Sequence, residues 1–216
     1  MTGAEGGNQA AQPSGRPRWS RAREIIAVVL LSVTAILTAW CGFESSKWGG
    51  AMSIEFSQAS SARIRSADLA SESRDARAID LAIYSQWIQA RAAGDETLAA
   101  YIEARFTPEF AVAFEAWQAG EEAEPSPFAT AAYVPQGTEE TAAASATADA
   151  KFDSALVSNQ RGDNYGILTV LFALVLFFTA VSERARSQWA GWALLGLGAT
   201  IAVAGGIILA TFPILI

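Results

Sequence analysis

The chain has 216 residues, a net charge of −7 and 51% hydrophobic residues. It contains one cysteine and no histidine, which excludes an intrachain disulfide and removes the commonest metal ligand and proton shuttle. Residues 44–164 carry nine Lys or Arg against nineteen Asp or Glu. This acidic excess argues against nucleic acid as a partner, because phosphate binding needs clustered basic side chains.

A basic segment precedes the first apolar run. Residues 1–24 contain four arginines and no hydrophobic periodicity, so we predict a disordered tail there. Residues 25–43 contain no charge and are long enough for a first transmembrane helix. We interpret this run as an uncleaved signal anchor, because Trp40 stands where a lipoprotein signal needs a small residue before Cys41.

Two further apolar runs follow the acidic segment. Residues 166–182 include eleven Leu, Ile, Val or Phe and no charge. Residues 189–212 are also uncharged, and as a helix they would exceed a hydrocarbon core of about 30 Å. The polar bridge 183–188 is short enough to force an antiparallel turn. We therefore predict transmembrane helices at 165–182 and 189–213, with a short tail at 214–216.

Basic residues predict the orientation of the three spans. Four arginines precede the first span, and Arg184 and Arg186 lie between the second and third. The positive-inside rule makes both segments cytoplasmic, which three spans allow. Residues 44–164 and 214–216 are then extracytoplasmic. The composition, rich in Arg and Ala, favours a bacterial source and an inner-membrane location.

The acidic segment has the pattern of helices. Residues 47–92 contain no proline and many good helix formers, so we predict a helix there. We expect a break in so long an element, with the bend at Gly49-Gly50. Ile79, Ile83 and Trp87 recur at helical spacing and predict an apolar face.

Two short helices and a return helix are predicted next. A Gly-Asp pair ends the first helix, and Asp95 caps a helix over 96–105. Thr107-Pro108-Glu109 combines a capping hydroxyl, a proline at the first helical position and an acid at the positive end of the helix dipole. After a loop with three prolines, Thr138 caps the return helix. Gly162-Asp163-Asn164 predicts a joint before the second span.

Together these elements predict an all-α membrane protein. A helical extracytoplasmic domain, residues 44–164, is inserted between the first and second of three transmembrane helices. The lipid bilayer is then the first partner of the chain. The outer helices fit either a compact domain or an extended hairpin.

Several short motifs stand out within residues 40–182. They are Phe106-Thr107-Pro108-Glu109-Phe110, Ala113-Phe114-Glu115-Ala116-Trp117, Pro127-Phe128, Tyr133, Gly162-Asp163-Asn164-Tyr165 and Thr169-Val170-Leu171-Phe172-Ala173. In these motifs the chain resembles an uncharacterised group of bacterial three-span membrane proteins. The resemblance implies the same plan with a helical extracytoplasmic insertion, and it implies no activity.

The residue types argue against an enzyme. Hydrolytic triads, Cys–His pairs and zinc sites need His or several Cys, which the chain lacks. The adjacent acids Glu121/Glu122 and Glu139/Glu140 point apart and stay solvated. No glycine-rich phosphate loop follows a strand. We predict no catalytic residue, no cofactor and no metal.

Two stripes in the spans are candidates for helix packing. The first, at i, i+4 and i+7 of span one, consists of Thr34, Thr38 and Cys41. It either packs against another helix or lines a pore. The second, which recurs every fourth residue of span three, consists of Gly198, Ala202, Gly206 and Ala210. Such a face of small residues allows close helix approach within the chain or between copies.

The sharpest feature outside the spans is an aromatic face. Phe110, Phe114 and Trp117 lie at i, i+4 and i+7 of the predicted third helix, with Ala113 between them. Burial of three large aromatic side chains stabilises a fold strongly. We therefore expect the face to pack on Ile79, Ile83 and Trp87 in an intramolecular core, the alternative being a contact with another protein.

These patterns support two hypotheses about function. The leading one is a non-catalytic membrane protein whose extracytoplasmic helical domain mediates assembly with another copy or with a membrane-protein partner. The alternative is an accessory subunit or small oligomeric channel, which the weakly polar stripe on span one motivates.

Overall fold

The structure, a computed structural model, describes residues 18–120 and 123–215. These residues form five α-helices and one 3₁₀ turn at Pro127–Ala129, and no strand occurs among them. The helices are α1 (Arg18–Ala92), α2 (Glu96–Glu103), α3 (Pro108–Ala119), α4 (Thr138–Arg184) and α5 (Gln188–Ala210). The all-α prediction is confirmed for this part of the chain.

The start of α1 corrects the predicted C-terminal bound of the disordered tail. Helix α1 begins at Arg18, so residues 18–24 are helical. The rest of that tail lies outside the described residues, as do the Glu121/Glu122 pair and the last residue of the short tail 214–216.

The expected break at Gly49-Gly50 is wrong, because α1 continues without interruption to Ala92. A glycine lowers helix propensity by about 1 kcal/mol relative to alanine, but it keeps its N–H and does not break the hydrogen-bond ladder as proline does. A Cβ atom at either glycine would meet nothing within 4 Å.

The joint predicted at residues 162–164 is also wrong, since α4 runs through it. Gly162 instead allows α4 to approach α1 closely. A Cβ atom there would lie 3.5 Å from Trp48 Cβ, and Ser45 Oγ donates to the Gly162 carbonyl at 2.9 Å. Gly162, which the sequence pattern indicated as part of a joint, is therefore a glycine at a contact between two helices.

Three helices in the described part of the chain are long and apolar enough to cross a membrane. They are α1, α4 and α5, each with an uncharged or nearly uncharged window of mean hydropathy 2.2–2.3. Only 17%, 33% and 17% of the residues in these windows are buried within the chain. Apolar side chains that face outward over such lengths are typical of helices in contact with lipid.

The chain divides into two compact units. One, the span unit, comprises the described residues of the ranges 1–50 and 159–216. The other, the insertion unit, comprises residues 51–158. Both units include parts of α1 and α4, while α2 and α3 belong to the insertion unit and α5 to the span unit.

In the span unit, α4 and α5 form the predicted antiparallel helix pair. They are joined by residues 185–187 alone. A Cβ atom at Gly205 would lie 3.0 Å from Phe172, and one at Gly198 would lie 3.3 Å from Thr179. Later positions in α5 thus meet earlier positions in α4. Helix α1 packs on α4 through a core of Cys41, Trp48, Tyr165, Leu168 and Phe172, and Leu209 of α5 packs against this core.

In the insertion unit, α1 and α4 pack against each other as antiparallel helices. Phe56 meets Phe152 edge to face at 5.5 Å, and Ser66 Oγ donates to the Thr141 carbonyl at 3.2 Å. The buried contact positions Ala59, Ala148 and Ala155 are small. Small side chains at these positions allow the two helix backbones to approach closely.

Candidate functional site

The insertion unit contains an aromatic core built around α3. Its buried residues are Tyr84, Trp87, Ala90, Ala99, Ile102, Phe110, Phe114 and Trp117, and Ile83, Phe106, Phe128 and Tyr133 pack against them. Trp87 meets Phe114 edge to face with ring centroids 4.9 Å apart. Phe110 stacks on Phe128 at 4.8 Å. Such pairs add about 0.5–1.5 kcal/mol each beyond their area burial, so they hold short helices that are marginal alone.

The structure brings together the four residues singled out in the sequence, Trp87, Phe110, Phe114 and Trp117. The α1 face differs from the predicted stripe, however. Ile79 is 56% exposed, whereas Asp80 and Tyr84 are buried. The inward face is therefore rotated from the one that apolar spacing alone indicates.

Local capping signals place α2 and α3 as the sequence predicts. The Asp95 carboxylate accepts the Leu98 N–H at 2.9 Å, and α2 ends at Glu103. The Thr107 hydroxyl accepts the Phe110 N–H at 3.3 Å, and Pro108 occupies the first turn of α3. These caps satisfy backbone donors that a helix start leaves without partners.

Asp80 is a buried carboxylate at the edge of the aromatic core. It is 3% exposed, and it accepts hydrogen bonds from Thr107 Oγ1 at 2.6 Å and from Tyr133 Oη at 2.9 Å. Because Thr107 also caps α3, Asp80 links α1 to the start of α3 and to the loop that carries Tyr133. Helical spacing alone would pair Asp80 with Arg77, three residues earlier.

The environment of Tyr133 favours its protonated form. Burial raises the pKa of the Tyr133 phenol, and the hydrogen bond to Asp80 together with the negative charge of that carboxylate raises it further. The charge of Arg77 acts in the opposite direction, and that of Glu109 adds to the increase. The folded structure therefore favours the protonated phenol of Tyr133, which acts as a hydrogen-bond donor to Asp80.

Both core tryptophans also have partners for their indole N–H groups. Trp87 Nε1 donates to the Glu103 carboxylate at 3.3 Å. Trp117 Nε1 donates to the Glu124 carbonyl at 2.7 Å. Each bond ties the edge of the core to a neighbouring acidic residue, and none of the buried indole donors in the core is left without an acceptor.

The other faces of α2 and α3 present apolar side chains to solvent. Leu98, Tyr101 and Val112 are 45%, 56% and 58% exposed. The guanidinium group of Arg105 lies 3.4 Å from the centre of the Tyr101 ring. Tyrosine and arginine are among the residue types enriched in protein–protein interfaces and their energetic hot spots.

The weakly polar stripe on span one lies inside the packing of the span unit. Thr34 and Cys41 are fully buried, and Thr38 Oγ1 donates to the Thr34 carbonyl at 2.8 Å. The Thr34 hydroxyl has no hydrogen-bond partner. Side chains buried within one chain gain no access to water when copies associate, so this arrangement does not favour a pore lining.

A buried carboxylate directly follows the first span. Glu44 is 1% exposed and accepts the Leu215 N–H at 3.0 Å, while Lys47 Nζ donates to the Leu215 carbonyl at 2.5 Å. Tyr165 Oη donates to the Pro213 carbonyl at 3.1 Å. These side chains hold residues 212–215 against α1 and α4. The sequence signal that could have located Glu44 is its position three residues after Cys41, which continues the stripe of Thr34 and Cys41 along one face of the helix.

The small residues of α5 divide into packed and unpacked positions. Gly198 is buried against α4, and Ala202 is half-buried. A Cβ atom at Gly206 would meet nothing within 4 Å, and Ala210 is exposed. Gly205 packs on α4 instead, with its Cβ position 3.0 Å from Phe172, because alternating steps of three and four keep residues on one helix face better than steps of four alone.

Among the described residues, no group of three or more His, Cys, Asp or Glu side chains is placed to hold a metal ion. That the chain is not an enzyme and needs no cofactor stays a prediction. No protein-family model, curated protein or solved structure matches the chain. The resemblance to the three-span group likewise stays a prediction.

Proposed function

We propose that this chain is a non-catalytic protein of the bacterial inner membrane whose helical insertion contacts another protein or another copy of the chain. Its N-terminus is cytoplasmic, and residues 44–164 lie outside the cytoplasm. The three apolar helices serve as the membrane anchor. The orientation follows from the arginines before the first span and between the second and third.

The observation that carries the proposal is the two-sided character of α2 and α3. One side of these helices is locked into the aromatic core, and the other presents Leu98, Tyr101 and Val112 to solvent. A rigid support reduces the entropy that is lost when surface side chains are ordered by a partner. Exposed apolar and aromatic groups on such a support are typical of a contact surface.

Site-directed photo-crosslinking tests the contact. A photoreactive amino acid at Tyr101 is expected to give covalent adducts with a second copy or a neighbouring protein in native membranes. The same amino acid at Ser71, an exposed position of α1 outside α2 and α3, serves as the control and is expected to give none. If Tyr101 yields monomer alone while a known complex in the same membranes is captured, the proposal fails.

Thiol labelling tests the orientation separately. In a Cys41→Ala background, Ser71→Cys and Ser187→Cys place one exposed thiol in the insertion and one in the turn between α4 and α5. A membrane-impermeant reagent added to intact spheroplasts is expected to label Ser71→Cys and not Ser187→Cys. The opposite pattern would contradict the orientation.

A further inference from the structure

An acid-rimmed groove runs between α2 and α3. Its floor includes the aromatic side chains of Phe106 and Phe114, and the alanines Ala104 and Ala111 line its walls. The groove has a volume of about 340 Å³. That volume is near the lower end of ligand pockets, about 300–1,000 Å³, and leaves room for one large side chain of a partner.

Two carboxylates line the same groove. Glu103 and Glu115 are both exposed, one on each helix. The hydrogen bond from Trp87 to Glu103 holds this carboxylate at the edge of the core. Among the described residues 95–120, which form α2, α3 and the turns beside them, five Asp or Glu stand against a single basic residue, Arg105. The potential around the groove is therefore strongly negative and favours a cationic partner.

Resting on the proposed function, we infer that this groove binds a basic amphipathic helix of a partner protein. One apolar side chain of that helix enters the groove onto Phe106 and Phe114. Lysine or arginine side chains on either side pair with Glu103 and Glu115. The small alanine walls allow the partner backbone to approach closely, as in other complexes that seat an amphipathic helix in a groove.

Binding of a defined probe peptide tests this inference. The probe is a dye-labelled helical peptide of alanine and lysine with one central phenylalanine, added to the full chain in nanodiscs of zwitterionic lipid. Replacement of that phenylalanine by alanine is expected to weaken binding at least about tenfold, because the burial of its apolar side chain on Phe106 and Phe114 is lost. A peptide with glutamate in place of lysine is expected not to bind.

Variants of the chain localise the site. Glu103→Gln with Glu115→Gln is expected to weaken binding about five- to tenfold through the loss of two ion pairs. Glutamine keeps an acceptor for Trp87. The matched control, Glu72→Gln with Asp75→Asn on the exposed face of α1, removes the same charge and is expected to change affinity by less than about twofold. Ala111→Leu fills the groove without a change of charge and is expected to abolish the phenylalanine preference.

Three results would overturn the inference. They are no binding of the probe beyond that of empty nanodiscs, an equal loss in the groove and control pairs, and equal affinity for the phenylalanine and alanine peptides. If Tyr101 gives adducts in native membranes and any of these three results is also obtained, the proposed function is supported and the role of the groove is rejected. Near-ultraviolet circular dichroism checks that each variant keeps its aromatic core.

Discussion

Replacement of Asp80 tests how the aromatic core is held to α1. Asp80→Ala removes the acceptor of two hydroxyl groups, on Thr107 at 2.6 Å and on Tyr133 at 2.9 Å. A hydrogen bond to a charged group contributes about 1.5–3 kcal/mol, which gives about 3–6 kcal/mol for both. Tyr133 is only half-buried and regains water, so we expect a net loss of about 3 kcal/mol.

Hydrogen exchange followed by mass spectrometry measures this loss in the full chain. Amides of α3 are expected to exchange about a hundredfold faster in Asp80→Ala, because about 1.4 kcal/mol corresponds to a factor of ten. Amides of α5 belong to the span unit and are expected to keep their rates. Asp80→Asn keeps one acceptor oxygen and is expected to fall between the wild type and Asp80→Ala.

The matched control is Asp75→Ala, which removes an exposed carboxylate from the same helix. It is expected to leave exchange in α3 unchanged. Equal rates in the Asp75 and Asp80 variants would refute the role of the buried carboxylate. A double-mutant cycle with Tyr133→Phe adds a second check, since residues that share a hydrogen bond show coupling of about 0.5–3 kcal/mol.

Three further predictions concern single side chains. Thr34→Val removes a buried hydroxyl without a partner and is expected to raise the free energy of unfolding in detergent by about 1 kcal/mol. Thr38→Val removes a hydroxyl that has a partner and is not expected to raise this free energy. Equal melting temperatures for wild type and Thr34→Val would show that the Thr34 hydroxyl has a hydrogen-bond partner. Gly205→Leu is expected to destabilise the span unit by about 1–3 kcal/mol, because its Cβ position lies 3.0 Å from Phe172. Gly206→Leu is expected to leave the thermal stability of the monomer unchanged, because its Cβ position meets nothing within 4 Å. Similar losses of stability in both variants would contradict the packing described. Tyr133 has a raised pKa in the folded state, so its contribution is complete below about pH 10, the ordinary tyrosine value, and is lost as pH rises through the folded-state pKa. Denaturant titrations are therefore expected to show a smaller loss of stability above about pH 10 in Tyr133→Phe than in wild type, and identical pH profiles would refute this assignment.

Much of the fold follows from local signals in the sequence. The caps at Asp95 and Thr107 predict the starts of α2 and α3, because a side-chain acceptor at a helix start acts within three residues. The apolar face of α3 predicts the aromatic core in the same way. The uncharged runs predict α5 and the apolar parts of α1 and α4, because length and composition decide whether a helix can cross a membrane.

The misses concern long-range packing. Glycines at 49, 50 and 162 indicated a bend and a joint, but Gly162 serves close contact between α1 and α4. The burial of Asp80 and Glu44 depends on partners 27 to 171 residues away. Periodicity within one helix does not contain this information, because it describes which residues share a face and not what lies opposite.

The way residues 212–215 are held has a consequence for their evolution. The hydrogen bonds of Glu44, Lys47 and Tyr165 reach only main-chain atoms of Pro213 and Leu215, while the side chains of Phe212 and Leu215 pack on the core of the span unit. Every residue type offers the carbonyl, and every type except proline offers the N–H. The polar contacts therefore tolerate substitution in this segment as long as positions 212 and 215 stay apolar, whereas loss of the glutamate or lysine that binds it would be an informative change.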